Sequence, residues 1–168
     1  MDADIRPERP EDAEGIEAVT VAAFLDAAHT SHTEQFIVRE LRRAGHLTVS
    51  LVADFRGRVI GHVAISPVTI SDGTRDWFGL GPVSVSPEHQ RRGLGSRLVR
   101  EGLARLKALG GRGCVLVGEP AYYGRFGFRA EPGLVLPGVP SQYFQAVCLA
   151  GPMPAGTVTF DAAFEAKE

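Results

Sequence analysis

Apolar residues recur along this chain at two different spacings, which predict a fold of both helices and strands. Apolar positions three and four residues apart predict helices at 10–24, 33–43 and 92–109. Runs rich in β-branched residues predict strands at 5–7, 47–55, 58–70 and 80–85. Because Arg56-Gly57 separates the strands at 47–55 and 58–70, we expect these two strands to form a hairpin.

The second half of the chain predicts a crossover followed by a closing pair of strands. Residues 114–117 are wholly apolar and follow the helix at 92–109, as is typical of a buried parallel strand. In the tail, 143–149 and 157–160 are expected to pair as a hairpin that completes the sheet. We therefore predict an α/β fold of α+β character, with a central mixed β-sheet flanked by helices, in a single domain that spans residues 1–168.

Composition excludes several classes of function. The chain is 44% hydrophobic and 23% charged, as in ordinary globular domains. Its charged amino terminus and the lack of any long apolar run predict a cytoplasmic protein with no membrane partner. A net charge of −2 gives no general attraction to nucleic acid. Cys114 and Cys148 lie in apolar stretches without further ligands, so we expect buried free thiols and no metal site.

The segment with the clearest chemistry is VSPEHQRRGLGSRL at 85–98, which ends a strand, turns and opens a helix. The first amides of a helix have no internal partner and lie at the positive end of its dipole, so they suit a phosphate. Gly93 and Gly95 keep side chains away from a ligand that must approach the backbone. A strand-to-helix turn without a ligand explains the glycines alone equally well. Nearby positive charge, which also fits a solvated helix face, comes from Arg91, Arg92, Arg97, Arg100 and Arg105.

Two other phosphate-binding motifs fit this segment poorly. A P-loop requires a lysine followed by Ser or Thr after its second glycine, whereas Ser96 and Arg97 follow Gly95. The dinucleotide-binding fingerprint requires three glycines and an acidic residue about twenty positions later. The residues before Gly93 supply neither the first glycine of that fingerprint nor the sequence context that it requires.

The spacing Gln90-x-x-Gly93-x-Gly95, preceded by Val85-x-Pro87, closely resembles the pyrophosphate-binding motif of the GNAT superfamily of N-acetyltransferases. This resemblance implies acetyl-coenzyme A as the cofactor, with its pantetheine arm in a notch where two central strands part. It also implies that strand amides bind the pantetheine and that loop amides bind the pyrophosphate. The cofactor-binding residues implied in this way are Val83, Ser84, Val85, Gln90, Arg91, Arg92, Gly93, Leu94, Gly95, Ser96 and Tyr123.

A second segment, GEPAYYGRFGF at 118–128, resembles the GNAT strand end, short helix and Gly-Phe strand. Tyr123 lies four residues before Gly127, the place of the family's tyrosine near the cofactor sulfur. A phenol titrates at about 10 and a thiol at about 8.5, so this tyrosine would keep its proton and donate it to the departing thiolate. The same aromatic residues also fit a cluster that closes the core. Together with 80–87, the segment looks like the YhbS-like branch, and the resemblance implies the GNAT fold over nearly the whole chain.

We expect an amine to attack the thioester directly within a ternary complex, because the sequence offers no nucleophilic Ser or Cys in a recognisable triad setting. The N–H near Val83 would polarise the thioester carbonyl. Glu34, on the acceptor side, and Glu119 are candidate bases, although each also fits a surface or capping carboxylate. We expect His29 and His32 on the acceptor side or exposed. The acceptor amine could belong to a small molecule, an amino acid or a protein. A homodimer is also compatible with the sequence.

Two other classes of function fit the sequence less well. A non-catalytic regulatory module that binds acyl-coenzyme A would share the phosphate loop, but Tyr123 and the lack of an appended domain favour an enzyme. A nucleic-acid-binding domain would need a motif that this chain lacks. We therefore predict a cytoplasmic, acetyl-coenzyme A-dependent N-acetyltransferase.

Overall fold

The computed structural model describes residues 2–27 and 30–168 and contains two β-sheets with helices on both sides of the larger one. The strands are β1 (Asp4–Pro7), β2 (Val49–Phe55), β3 (Arg58–Pro67), β4 (Thr69–Ile70), β5 (Trp77–Val85), β6 (Gly113–Val117), β7 (Leu134–Val135), β8 (Phe144–Cys148) and β9 (Gly156–Thr159). The α-helices are α1 (Ala13–Phe24), α2 (Glu34–Ala44), α3 (Leu94–Ala108) and α4 (Pro120–Tyr123).

The larger sheet has six strands in the order β1-β2-β3-β5-β6-β8. β5 and β6 run parallel, whereas its other neighbouring strands are antiparallel. The smaller sheet has the order β4-β9-β7. A mixed sheet flanked by helices confirms the predicted fold class.

Alternation along β2 places α1 and α3 on opposite faces of the larger sheet. Leu51 and Ala53 join Leu98 of α3 in the main hydrophobic core. Val52, which lies between them in sequence, contacts the core under α1 together with Ile16. Burial of a whole leucine side chain such as that of Leu98 stabilises the fold by about 1.5–3 kcal/mol, so each face anchors its helix.

The helix predicted at 92–109 is confirmed as α3, which is shorter at both ends because it begins at Leu94 and stops before Leu109. Leu94, Leu98 and Leu106 are buried as the spacing predicts, but Leu109 is 66% exposed. The helix ends at Ala108, and the Leu109 N–H closes the last turn onto Arg105. The side chain of Leu109 therefore lies beyond the face that the sheet covers.

Two predictions about strands were wrong. The run at 58–70 is not one strand, because its last residues leave the large sheet and pair with β9 as β4. The two tail strands do not form a hairpin, since β8 pairs with β6 whereas β9 lies between β4 and β7. Alternation shows that a segment is a strand but does not specify its partner.

The two cysteines are free thiols, as predicted, but only Cys114 is fully buried. Cys148 is partly exposed because it is the last residue of β8, which lies at one edge of the larger sheet. Among the described residues no helix is long and apolar enough to cross a membrane. The same residues contain no group of three or more side chains suited to hold a metal ion.

β5 and β6 stay together over only part of their length. Their parallel pairing covers 77–79 of β5 and 113–115 of β6. Beyond these residues the strands separate, while β5 continues to pair with β3 as far as Val85. One edge of β5 is consequently left without a neighbouring strand, next to the amino end of α3.

Candidate functional site

A cavity of about 470 Å³ opens where β5 and β6 separate. Its walls come from the end of α1, the free edge of β5, the loop before α3, the first turn of α3 and the segment around α4. The structure places most of the predicted cofactor residues in its lining, namely Val83, Val85, Gln90, Arg91, Gly93, Leu94, Gly95, Ser96 and Tyr123.

The loop before α3 exposes a run of backbone N–H groups to this cavity. In the described part of the chain, no hydrogen bond uses the backbone N–H groups of 91–96, and the first bond of α3 runs from Arg97 N–H to the Gly93 carbonyl at 3.1 Å. Gly93 has a φ of 81°, which glycine adopts without strain. Arg91 has a φ of 64°, a left-handed conformation that costs a non-glycine residue roughly 1 kcal/mol or more. Unpaired N–H groups in such a turn suit an anion.

The orientation of β5 follows from its pairing with β3. The Ser86 N–H donates to the Ile60 carbonyl at 2.9 Å, and Ser84 lies two residues earlier in the same register, opposite His62. Backbone groups alternate between the two edges of a strand. The N–H and C=O groups of Val83 and Val85 therefore point away from β3, toward the free edge and the cavity.

Ser84 and Gln90 are both held by contacts within the protein. The Ser84 side chain is buried beneath α1, where its hydroxyl donates to Thr20 Oγ1 at 3.4 Å. The Gln90 Nε2 donates to the Val85 carbonyl at 2.9 Å and so ties the loop to the end of β5. Arg92 is exposed and is not among the residues that line the cavity.

Tyr123 lies between the cavity and a cluster of aromatic rings. Its ring meets that of Tyr122 edge-on at 4.9 Å and that of the buried Phe128 at 6.2 Å. A side chain at Gly118 would come within 2.3 Å of the Tyr123 ring, so only glycine permits this close approach. Burial, reinforced by Tyr122, raises the pKa of Tyr123 to about 12. Its phenol is therefore protonated at neutral pH.

Three polar residues of the cavity lining were missed from the sequence, as were the apolar Ala23 and Phe24. Tyr122 holds α4 against α3, with its hydroxyl 3.2 Å from Ser96 Oγ. The guanidinium of Arg125 lies over the Tyr122 ring, 4.6 Å from its centroid. His89 contributes to the wall, and its buried Nδ1 has no hydrogen-bond partner in the described part of the chain. The letters YYGR contain Tyr122 and Arg125, but only the turn of α4 shows which side chains reach the cavity.

The candidate bases lie apart from the cavity lining. Glu34 is the first residue of α2, and its Oε2 accepts a 2.7 Å hydrogen bond from the Thr30 hydroxyl. Glu119 is exposed at the start of α4. His32 is exposed, as expected, whereas His29 lies outside the described residues.

A larger groove, of about 730 Å³, lies between α1 and the β2–β3 hairpin. Its charged side chains neutralise one another, since Arg6 pairs with both Asp12 at 2.7 Å and Asp54 at 3.2 Å. Loop N–H groups that line this groove are already bonded, since the Asp12 N–H donates to the Arg9 carbonyl and the Gly57 N–H donates to Asp54 Oδ1. We therefore assign the chemistry to the cavity at α3.

Comparison with known proteins identifies relatives over most of the chain. A family model described as an acetyltransferase (GNAT) domain matches residues 4–130. The uncharacterised N-acetyltransferase YhbS of Escherichia coli K12 is 42% identical over 125 residues, which are 74% of this chain and 72% of that protein.

Two solved structures resemble the whole fold. A GNAT family acetyltransferase from Brucella melitensis, in complex with acetyl-CoA, is 48% identical with a TM-score of 0.86, over 96% of this chain and 97% of that one. YhbS from Escherichia coli, in complex with CoA, is 37% identical with a TM-score of 0.88, over 97% of this chain and 92% of that one. Both similarities extend beyond the part that the family model matches.

Proposed function

Since the chain belongs to the GNAT family of acetyltransferases, we propose that this N-acetyltransferase holds acetyl-coenzyme A in the cavity between β5 and α4. There it transfers the acetyl group to an amine. The observation that carries this assignment is the run of unpaired N–H groups at 91–96 beside the free edge of β5. The Brucella relative crystallised with acetyl-CoA supports the same cofactor.

The cofactor is held by backbone groups at two places. The N–H groups of 91–96 bind the diphosphate at the positive end of the α3 dipole. Val83 and Val85 present alternate N–H and C=O groups along the free edge of β5, which match the amides of the pantetheine arm. Because backbone geometry creates both contacts, they depend on the fold rather than on particular side chains.

The reaction is direct transfer within a ternary complex. The neutral amine attacks the thioester carbon, a C–N bond forms, and the C–S bond then breaks to release the coenzyme A thiolate. The proton lost from the amine passes to water or to a base. The Val83 N–H stabilises the oxyanion of the tetrahedral intermediate, a contribution of about 3 kcal/mol for one well-placed donor. Binding both substrates together removes much of the entropic barrier.

Tyr123 acts on the leaving group. Its phenol, protonated at neutral pH, donates a hydrogen bond to the sulfur as negative charge develops there. The same burial that raises the pKa of the phenol also raises the basicity of a thiolate beside it. The pKa values of the phenol and of the coenzyme A thiol therefore shift in the same direction, so removal from water does not prevent proton transfer from the phenol to the thiolate.

The acceptor side is defined only as far as an amine. Glu34 stays a prediction as an acceptor-side residue, supported by its Oε1, which is buried and has no partner among the described residues. The cytoplasmic location and a homodimer also stay predictions from the sequence.

The test combines calorimetry with a thiol-release assay. Purified protein is titrated with coenzyme A, and acetyl-coenzyme A is then offered with a panel of small amines, amino acids and peptides. We expect heat of binding and amine-dependent release of free thiol. A folded protein that shows no binding of coenzyme A would contradict the proposal. Binding without thiol release from any amine would instead support a non-catalytic module.

A further inference from the structure

Arg125 holds a positive charge at the edge of the cofactor cavity. It lies in the short turn that follows α4, is exposed, and contributes to the cavity lining. Its guanidinium lies over the Tyr122 ring at 4.6 Å, and the Tyr122 hydroxyl lies 3.2 Å from Ser96 Oγ in the first turn of α3. One aromatic side chain thus connects the guanidinium to the turn that bears the free N–H groups.

None of the described residues neutralises this charge. In residues 2–27 and 30–168, no carboxylate lies within ion-pair distance of Arg125, whereas the nearby Arg129 pairs with Glu131 at 3.8 Å. The cavity lining in these residues includes Arg91 and Arg125 but no aspartate or glutamate. A lining that offers hydrogen-bond donors and cations but no acidic side chain suits a polyanion such as the phosphate-bearing half of coenzyme A.

We propose that the Arg125 guanidinium binds a phosphate group of coenzyme A from the α4 side of the cavity, with Tyr122 as the residue that positions it. The inference rests on the proposed function and adds a side chain to phosphate contacts that otherwise come from backbone N–H groups. A guanidinium presents paired donors that match two phosphate oxygens. Stacking on Tyr122 limits the rotamers of Arg125, so less freedom is lost when the phosphate binds.

Arg100 provides a matched control. Its guanidinium lies over the Phe126 ring at 5.0 Å, and Phe126 belongs to the same aromatic cluster as Tyr122, with ring centroids 5.5 Å apart. Arg100 is exposed on α3 but does not line the cavity. Replacement of either arginine therefore removes one charge and one ring contact, and only Arg125 faces the ligand.

The experiment measures binding by calorimetry to wild-type protein, Arg125→Gln and Arg100→Gln. The three ligands are coenzyme A, dephospho-coenzyme A, which lacks the ribose phosphate, and pantetheine, which has no phosphate. We expect Arg125→Gln to weaken coenzyme A binding about tenfold or more and to leave pantetheine binding unchanged. The affinity of Arg100→Gln for coenzyme A should stay within about twofold of wild type. Arg125→Lys keeps the charge but lacks the paired donors of a guanidinium, so its affinity should lie between those of wild type and Arg125→Gln.

The dephospho-coenzyme A titration identifies which phosphate is bound. Equal weakening for coenzyme A and dephospho-coenzyme A assigns Arg125 to the diphosphate, whereas weakening for coenzyme A alone assigns it to the ribose phosphate. Both results support the inference.

Three results would overturn the inference while the proposed function stands: unchanged coenzyme A binding by Arg125→Gln, equal losses in the two arginine variants, or an equal loss for pantetheine. A wild-type protein that binds no coenzyme A would overturn the proposed function and this inference together. Thermal unfolding of each variant checks that the fold is intact.

Discussion

Tyr123 touches both the hydrophobic core and the cavity, and each contact limits what its phenol can do. The rings of Tyr122, Phe126 and Phe128 fix its orientation from three sides. Gly118, which directly follows β6, gives it room. A side chain held in this way has one fixed position for its hydroxyl, which a hydrogen bond to a departing sulfur requires.

Replacement of Tyr123 by phenylalanine tests that role. The ring contacts remain, so we expect the fold and the affinity for coenzyme A to stay within about twofold of wild type. Loss of the hydroxyl should lower kcat about 100-fold, the scale of general acid catalysis. Steady-state kinetics and calorimetry measure the two quantities. Tyr143→Phe, at a tyrosine that is 39% exposed, is the control that should change neither. An unchanged kcat, or equal losses of rate and affinity, would contradict the role.

Gly93→Ala tests the backbone of the phosphate loop. Gly93 has a φ of 81°, and a Cβ there would meet nothing within 4 Å, so the substitution adds backbone strain alone. Gly45, with a φ of 76° and equally open space at the end of α2, is a matched control. We expect both alanine variants to lose about 1 kcal/mol of unfolding free energy. Only Gly93→Ala should weaken coenzyme A binding, and equal binding by the two variants would show that the loop amides are not used.

At the scale of elements, α3 has two separate functions along its length. Its first turn presents N–H groups to the cavity, while its middle buries leucines against β2, β3 and β5. Gln90 links this helix to the sheet through its bond to the Val85 carbonyl. Contacts between α3 and the large sheet therefore fix where the first-turn N–H groups lie.

Two leucines of the predicted apolar face separate these contributions to stability. Leu98 is fully buried, whereas Leu109 is 66% exposed. Leu98→Ala should lower the free energy of unfolding by about 3 kcal/mol, because it removes buried methyl groups and leaves a cavity. Leu109→Ala should change it by less than about 0.5 kcal/mol. Urea denaturation measures both, and equal losses would contradict the burial described here.

At the scale of the whole molecule, a buried polar network joins the first half of the fold. His62 of β3 is fully buried, with Nε2 2.8 Å from Ser50 Oγ of β2. Ser50 is hydrogen-bonded to Glu8, just after β1, and Glu8 pairs with Arg42 of α2 at 2.8 Å. Burial lowers the pKa of His62 to about 4, while Glu8 raises it and Arg42 lowers it further. The imidazole is therefore neutral in the folded protein at neutral pH.

This network makes the fold sensitive to acid. The pKa of His62 falls from 6.5 in the unfolded chain to about 4 in the fold, so the unfolded state binds more protons between these values. The contribution of neutral His62 to the free energy of unfolding is fully present above pH 6.5 and is lost as the pH falls toward 4. This contribution is on the order of 3 kcal/mol.

His62→Leu should flatten the dependence of stability on pH in this window. Urea denaturation at several pH values compares the two proteins. Below the window both should continue to lose stability, because the pKa values of Glu8 and Asp12 are lowered in the fold. Burial raises the pKa of Glu8, but hydrogen bonds from Arg42 and Ser50 lower it further than burial raises it. A hydrogen bond from Arg6 lowers the pKa of Asp12. An unchanged slope between pH 6.5 and 4 would show that His62 does not titrate in this way.

Part of the site was predictable because it depends on local sequence. The glycines of the phosphate loop and the apolar spacing of α3 act over one or two turns, and both are found where the sequence predicts them. By contrast, Arg125 and Tyr122 face the cavity only because α4 turns back against α3. Glu34 was predicted on the acceptor side, but which residues it meets there depends on long-range folding.

Local sequence was enough to predict most of the helices and strands, the glycine turn before α3 and the family. Helical and strand spacing, glycine at positive φ and unpaired first-turn amides are properties of adjacent residues, so they can be read without a fold. Three features are visible only in the folded chain: β8 pairs with β6, β4 and β7 flank β9 in a second sheet, and β5 separates from β6 after three residue pairs. Strand pairing and cavity walls join residues far apart in the chain, and the burial that selects among such contacts exists only after the whole chain has folded.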